Sequence, residues 1–399
     1  MTIPVQLHSD RYLASIGDEP HVFHCHHYNC FLQRSIADQS ALIDHRPLLT
    51  DAATEVVHAE LGKIGHAHAE ELFQHLGFGV LDLEGVTASG GFALAKASHY
   101  ALGWLSKFGK AAEPVCFFAA GFVEAAARRR FGGNFTVKET ACVASGAKEC
   151  RFELKSGGRA SIPASPGMGS LTPFAARSAF ATKTSVDEGA IITACGGLPL
   201  GGTIEGKIDA FGVSLTRHYA NYYNLISYRF DQQMEKAAGD AATAAARLLL
   251  VEAGQVCAFH TFGGIMESAE WEGLIKPQCK TTEDWLYGMV SVVNALGWGR
   301  WSVSALEPGQ RLELTVDGSY ESNGYLGAFG KSSTPRCYLA TGGTSGLMNL
   351  VYHANVMSRP ALTPELYEKT FRDGRFFVAR EVECRTMGAA ACRFVAERV

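Results

Sequence analysis

The sequence predicts an α+β fold in which two tandem copies of one unit, an antiparallel sheet with helices, form a pseudo-twofold intramolecular dimer. Three observations predict it. Short sequence echoes recur in the same order in both halves, alternating apolar segments indicate strands, and helically spaced apolar residues lie between them. The 399-residue chain is long enough for two domains, and its 47% hydrophobic content is typical of a packed protein.

The echoes set the expected domain boundaries. Residues 76–79 (Leu-Gly-Phe-Gly) recur at 296–299 (Leu-Gly-Trp-Gly), and His27-Tyr28 recurs as His218-Tyr219. A stretch rich in Gly, Ser and Pro begins near residue 155 and is typical of a flexible linker. We therefore expect a first domain at 1–155, a linker at 156–185 and a second domain at 186–399.

The elements of the first copy follow from periodicity. The apolar residues of 52–76 have helical spacing, which predicts a helix. Apolar and polar residues alternate over 79–86, which predicts a strand, and a turn at 89–91 leads to a second predicted strand at 92–97. An amphipathic helix is predicted at 117–130. Strands are predicted at 135–140 and 150–154, paired as a hairpin.

One motif in each half carries metal-binding chemistry, with the spacing Glu-x2-Cys-x7-Cys after an earlier cysteine. Three thiolates and one carboxylate suit tetrahedral zinc, and four protein ligands leave no open position, so the predicted role is structural. The alternative is that these are buried free cysteines. Their recurrence in register favours two zinc sites, formed by Cys116, Glu139, Cys142 and Cys150 and by Cys337, Glu381, Cys384 and Cys392.

These residues carry a resemblance. Glu139-x2-Cys142-x3-Gly146-x3-Cys150-x-Phe152, and its echo from Glu381 to Phe394, resemble the 4-vinyl-reductase-like domain. The resemblance implies an α/β fold with a small-molecule pocket beside a zinc site, usually in a dimer, so a homodimer is also expected. It implies the same four zinc ligands in the first half. An insertion that includes residues 358–360 separates Cys337 from Glu381 and departs from the pattern of the first half.

The halves differ most in a histidine- and cysteine-rich stretch at residues 23–30. Such a stretch is typical of metal binding or nucleophilic chemistry, and the alternative is a set of buried polar residues between the halves. His24, Cys25, His26 and His27 are the candidate catalytic residues, and the same pattern suggests an additional metal near His24–Cys30. The candidate substrate-binding residues are His66, His68, His99, Arg217 and His218.

The composition and net charge limit the classes of function that this protein can have. A net charge of −4 argues against nucleic acid as a partner, and the absence of a long apolar run or a signal-like N-terminus indicates a cytoplasmic protein away from membranes. The hypothesis is a metal-dependent enzyme of hydrolytic or lyase type, with desulfurisation as a variant, acting on a small cyclic or aromatic-like molecule. The alternative is a non-catalytic zinc protein that binds or senses a small molecule. A vinyl reductase is disfavoured because no flavin or nicotinamide motif is visible.

Overall fold

The computed structural model describes residues 3–8, 13–168, 180, 184–373 and 376–399, so the predicted linker at 156–185 lies partly outside the described residues. The strands are β1 (Gln6–His8), β2 (Leu13–Ile16), β3 (Glu19–Cys25), β4 (Val80–Asp82), β5 (Val86–Thr87), β6 (Gly90–Lys96), β7 (Phe135–Ala141), β8 (Cys150–Ser156), β9 (Ile208–Ala210), β10 (Val213–Tyr219), β11 (Arg300–Glu307), β12 (Arg311–Asp317), β13 (Phe377–Glu383) and β14 (Cys392–Arg398). The helices are α1 (His26–Ala37), α2 (His45–Ile64), α3 (Ala69–His75), α4 (His99–Phe108), α5 (Phe117–Phe131), α6 (Glu188–Gly196), α7 (Ala220–Cys257), α8 (Gly263–Glu267), α9 (Thr282–Ala295), α10 (Tyr320–Phe329), α11 (Tyr338–Met348) and α12 (Pro364–Phe371).

Three antiparallel sheets organise these elements. One runs β4-β6-β8-β7, with β5 also paired to β6, and a second runs β11-β12-β14-β13. The third sheet, β1-β2-β3-β10-β9, takes strands from both halves of the sequence. The predicted mixture of helices and antiparallel sheets is confirmed, and the long helix α7 breaks at Ala238 and Gly239.

Strands β3 and β10 join the two halves at the centre of the third sheet. They pair antiparallel, with Val22 opposite His218 and Cys25 opposite Leu215. Each strand closes a hairpin with two successive positive φ angles, at Gly17 (54°) and Asp18 (74°) in one and at Phe211 (54°) and Gly212 (69°) in the other. Two positive φ angles in a two-residue turn match the twist of the strands they connect.

Each of these strands also bonds to the opposite half. The Phe23 N–H donates to the Leu296 carbonyl at 3.0 Å, and the Arg217 N–H donates to the Leu76 carbonyl at 3.0 Å. The indole N–H of Trp298 donates to the Phe23 carbonyl at 2.9 Å. The end of each strand is therefore held in the core of the other half.

Helix packing repeats as well. Helix α2 packs on α5, and α7 packs on α11. A Cβ atom on Gly121 would lie 2.3 Å from the Thr50 carbonyl oxygen, and one on Gly342 would lie 2.2 Å from the Val251 carbonyl oxygen. Only glycine permits backbones to approach this closely.

One helical stretch is long and apolar enough to cross a membrane by length and composition alone. It covers Ala220–Glu267, and 61% of its apolar window is buried inside the protein. That degree of burial is what the core helix of a packed domain shows. Charged residues interrupt the stretch, which is why the amino-acid sequence alone did not single it out.

Candidate functional site

The four predicted ligands of the first half meet in one buried cluster, the first thiol cluster. Cys116 begins α5, Glu139 lies on β7, and Cys142 and Cys150 flank the turn to β8. The Cys116 sulfur lies 3.9 Å from the Cys142 sulfur and 3.7 Å from the Cys150 sulfur, and the last two lie 3.9 Å apart. These separations are far longer than a disulfide bond of about 2 Å.

The second thiol cluster has the same construction. The Cys337 sulfur lies 3.6 Å from that of Cys392, which lies 4.0 Å from that of Cys384. In each cluster, all four candidate ligand atoms lie within 4.8 Å of one another. The insertion between Cys337 and Glu381 therefore does not prevent the second set from assembling.

The glutamate of each cluster is held by one oxygen. Glu139 Oε2 accepts the Cys116 N–H at 2.7 Å, and Glu381 Oε2 accepts the Cys337 N–H at 2.9 Å. The other oxygen, Oε1, is buried without a hydrogen-bond partner in both residues. Burial, and then the charge of the neighbouring Cys142 or Cys384, raises the pKa of Glu139 to about 8 and that of Glu381 to about 9.

A shift in strand register follows both glutamates. The β7–β8 register changes between Glu139 and Ala141, and the β13–β14 register changes between Glu381 and Glu383. Such bulges redirect side chains at functional sites. Here each bulge lies between the glutamate and the next cysteine, so both side chains reach the same point.

A serine links each thiol cluster to a helix that reaches the interface between the halves. The Ser98 hydroxyl lies 3.1 Å from the Cys116 sulfur, and the Ser319 hydroxyl lies 3.6 Å from the Cys337 sulfur. These serines directly precede α4 and α10. The clusters thus fix the start of the two helices that carry Tyr100 and Tyr320.

His24 lies in a fully buried set of aromatic rings between the halves. Its ring stacks on Trp298 at 4.6 Å and lies 4.5 Å from the ring of Tyr28 and 4.8 Å from that of Tyr223. Its Nε2 is 3.3 Å from the Tyr320 hydroxyl, and its Nδ1 has no partner. Burial holds the pKa of His24 well below its ordinary value, so the ring is neutral.

His218 has matching surroundings on the other side of Tyr223. Its Nε2 is 3.0 Å from the Tyr100 hydroxyl, its Nδ1 has no partner, and its ring lies 4.9 Å from that of Phe78. Tyr223 contacts it at 4.6 Å. Burial, and then nearby histidines, lowers the pKa of His218 well below its ordinary value. We call the two sets together the aromatic belt: His24, Tyr28, Phe78, Tyr100, Phe118, His218, Tyr222, Tyr223, Trp298 and Tyr320.

The position of His24 corrects the pairing of His27-Tyr28 with His218-Tyr219 that the sequence echoes predicted. His24 and His218 each occupy the last position but one of their strands, and a helix starts two residues later in both cases. By its position in the strand, the equivalent pair is therefore His24 and His218.

A second group of side chains surrounds Cys25 at the start of α1. The Cys25 sulfur lies 2.7 Å from the Thr261 hydroxyl, and the Cys257 sulfur lies 3.5 Å from the same oxygen. The rings of His26 and His27 lie 3.9 Å apart, and His27 stacks on His260 at 4.2 Å. Sequence reasoning missed Cys257, Thr261 and His260, which lie in or next to the π-helical turn Ala258–Phe262 and have no local sequence signal.

The remaining predicted substrate-binding residues lie in different places. His66 lines an open groove of about 400 Å³ with Glu70, Glu84 and Arg130. His68 pairs with Glu71 at 3.2 Å, whereas buried His99 contacts the Asn29 amide at 3.0 Å. The Arg217 guanidinium lies over the Phe23 ring. Among the described residues, the stretch His24–Cys30 contributes to no metal-type cluster of three or more ligand atoms.

These features define a class: a mixed α/β protein with two buried Cys3Glu clusters, each of which could hold a metal ion, and an aromatic interface. Residues 104–156, which include the first cluster, match the 4-vinyl-reductase domain family, so a domain of this family is present there. This match confirms the resemblance for the first half; the resemblance of the echo from Glu381 to Phe394 stays a prediction.

Two further comparisons with known proteins add little information about function. No curated protein matches the chain. Among solved structures, the chain is similar to the phenol-responsive sensory domain of the transcription activator PoxR, determined with phenol. The TM-score is 0.35 and the identity 16%, over 49% of this chain and 82% of that one. A similarity this distant establishes nothing about function.

Proposed function

We propose that this protein binds a small aromatic molecule in the aromatic belt, and that metal ions in the two thiol clusters order the belt. The observation that carries the proposal is the pair His24 and His218, both buried in aromatic rings with an unpartnered Nδ1. Buried polar atoms are nearly always hydrogen-bonded, so two equivalent exceptions call for a ligand group. The surrounding rings suit a flat apolar body.

The preferred ligand follows from this chemistry. The non-protonated nitrogen of a neutral imidazole accepts a hydrogen bond from a hydroxyl or N–H group, and the rings around it stack on an aromatic body. A phenol-like molecule has both features. The belt rings pack closely on one another, so binding would require one ring to move aside.

Isothermal titration calorimetry with phenol tests the proposal. We expect wild type to bind and His24→Leu or His218→Leu to weaken binding about fivefold, since one hydrogen bond contributes roughly 1 kcal/mol. His68→Leu is the matched control, because His68 contacts Glu71 on the surface of the first half. Absence of phenol binding to wild type, or equal binding by all four proteins, would refute it.

We infer that the metal is zinc and that its role is structural. Zinc–sulfur bonds of about 2.3 Å place tetrahedral thiolates about 3.8 Å apart, which agrees with the measured sulfur separations. The free Oε1 atoms of Glu139 and Glu381 supply the fourth ligand. Elemental analysis should give about two zinc ions per chain, and a third would indicate the additional metal expected near His24–Cys30.

The repeated architecture supports a tandem duplication, with domains at 1–155 and 186–399. The matching thiol clusters, hairpin turns and cross-half hydrogen bonds are its support. We further infer that one chain contains the pseudo-dimer that two single-copy chains would form, and that the protein works in the cytoplasm without nucleic acid or membrane. All eleven cysteines are free, which suits a reducing compartment.

A second candidate, an enzyme of hydrolytic or lyase type, is favoured by the stacked His26, His27 and His260 beside Cys25. Cys25 would be the nucleophile and His26 the general base. Sulfide release from a cyclic thiourea tests the desulfurising variant. His26→Ala should abolish release while metal content stays unchanged, and a wild type that releases no sulfide excludes this variant.

A further inference from the structure

The thiols of Cys25 and Cys257 come from opposite halves of the chain and meet at one hydroxyl. Cys25 ends β3, and Cys257 ends α7 more than two hundred residues later. Both sulfur atoms lie within hydrogen-bonding reach of the Thr261 hydroxyl, at 2.7 and 3.5 Å. Both thiols are almost completely buried, and neither belongs to the thiol clusters.

Several groups stabilise negative charge on the Cys25 sulfur. Cys25 is the N-cap of α1, where unpaired N–H groups and the helix dipole favour an anion. Burial raises the pKa of the Cys25 thiol, but hydrogen bonds from Cys257, Thr261 and the Tyr28 N–H, together with the charge of His26, lower it to about 6. Burial and the contact with Cys25 raise the pKa of Cys257 well above its ordinary value. These contacts favour the thiolate at Cys25 and the protonated thiol at Cys257.

The surroundings limit what can reach the pair. His26, His27 and His260 are only partly buried and form a stack next to Cys25, and the Lys107 ammonium acts on both His27 and Cys25. Because the sulfur atoms are buried while these rings are partly exposed, we expect only a small oxidant to reach them, and a peptide disulfide is too large.

We propose that Cys25 and Cys257 form a peroxide-reactive dithiol that closes to a disulfide across the two halves. The Cys25 thiolate attacks one oxygen of a hydroperoxide, the O–O bond breaks, and the leaving oxygen takes a proton to become an alcohol or water. The Cys257 sulfur then attacks the Cys25 sulfenic acid, and hydroxide leaves with the Cys257 proton as water. The two sulfur atoms lose two electrons and the hydroperoxide gains them.

Peptide mapping of the zinc-loaded full chain tests this proposal. The protein is treated with one equivalent of hydrogen peroxide, its free thiols are alkylated, and the digest is analysed by mass spectrometry. We expect a peptide pair cross-linked through Cys25 and Cys257, with no zinc released. Cys195, buried in α6 without a thiol partner, is the internal control and should be recovered in its alkylated form.

Two further measurements sharpen the test. Cys257→Ser should leave Cys25 as a sulfenic acid that dimedone traps, and glutathione disulfide should react at least tenfold more slowly than peroxide. The proposal is overturned if Cys25 and Cys257 of the wild-type protein are recovered alkylated after peroxide treatment, or if the thiol clusters oxidise first with release of zinc. The peptide map of the wild-type protein tests the proposal even if the variant does not fold, and its result does not depend on phenol binding.

Discussion

Glu139 and Glu381 use their two carboxylate oxygens differently. One oxygen accepts the backbone N–H of the cysteine that caps the preceding helix, α5 or α11, and the other stays free inside the thiol cluster. The first contact fixes where α5 or α11 begins. The second leaves an oxygen atom inside a cluster that could hold an ion, so little reorganisation would accompany metal binding.

At the scale of one residue, we predict that Glu139→Gln weakens the first metal site at least tenfold. The amide oxygen keeps the hydrogen bond to Cys116 but loses the negative charge, and even groups outside the ligand shell cost about tenfold when changed. Competition with a chromogenic chelator measures the affinity. Glu153→Gln, an exposed change on the same hairpin, is the control. Equal affinities in the two variants would contradict a ligand role for Glu139.

The part of the candidate site that could be predicted from the sequence is the part whose residues lie close together along the chain. Glu139, Cys142 and Cys150 fall within one hairpin, so their spacing alone indicated a shared site, and the echo in the second half supported it. Thr261 approaches Cys25, and His260 stacks on His27, only because β3 packs against the second half. No local pattern in one sequence encodes that contact.

At the scale of elements, two close helix crossings frame the thiol clusters. Helix α5 starts at a cluster cysteine and crosses α2 at Gly121, while α11 starts at the corresponding cysteine and crosses α7 at Gly342. Both glycines remove the side chain at the point of closest approach. The crossing therefore sets the direction of the helix that leaves each cluster.

We predict that Gly121→Ala destabilises the protein by about 1–3 kcal/mol, because the added methyl group would overlap the Thr50 carbonyl and force the helices apart. Urea unfolding of the zinc-loaded protein measures the change in free energy. Gly196→Ala in α6 is the matched control, because a Cβ there meets nothing within 4 Å. That variant should be neutral or slightly more stable, since alanine favours helix. A neutral Gly121→Ala would mean that the crossing is looser than the structure shows.

The elements with strong periodicity are predictable from the sequence, whereas only some of their boundaries are. The paired strands β7 and β8 and the helix α5 lie within one or two residues of their predicted bounds. Helix α2, by contrast, begins at His45, where Asp44 caps it, seven residues before the predicted start. The change from strand to helix at residues 25–26 is not predictable from the sequence, because alternation and helical spacing both fit that stretch.

At the scale of the whole molecule, the third sheet makes the halves interdependent. Strand β3 pairs with β10, and each strand donates a hydrogen bond to the Leu-Gly turn of the opposite half. The bidentate ion pair from Arg229 of α7 to Glu55 of α2 adds a charged contact between the halves. Neither half completes its own core.

We predict that residues 1–155 expressed alone do not persist as a folded monomer. Without β10, the buried strand β3 exposes its backbone and its apolar side chains, which leads to self-pairing or aggregation. Light scattering after size-exclusion chromatography gives the mass, and circular dichroism gives the folded content. Co-expression with residues 186–399 should restore a soluble one-to-one complex. A folded monomer of the first half would show that the shared sheet is dispensable.

The order of strands in that shared sheet also protects the protein from unwanted polymerisation. Its outer strands, β1 and β9, are three residues long, whereas the seven-residue strands β3 and β10 lie inside. Short outer strands present few unsatisfied amides to a neighbouring molecule. Covalent linkage of the halves keeps the two long strands paired at any concentration, so dilution cannot expose the surface from which fibrils would grow.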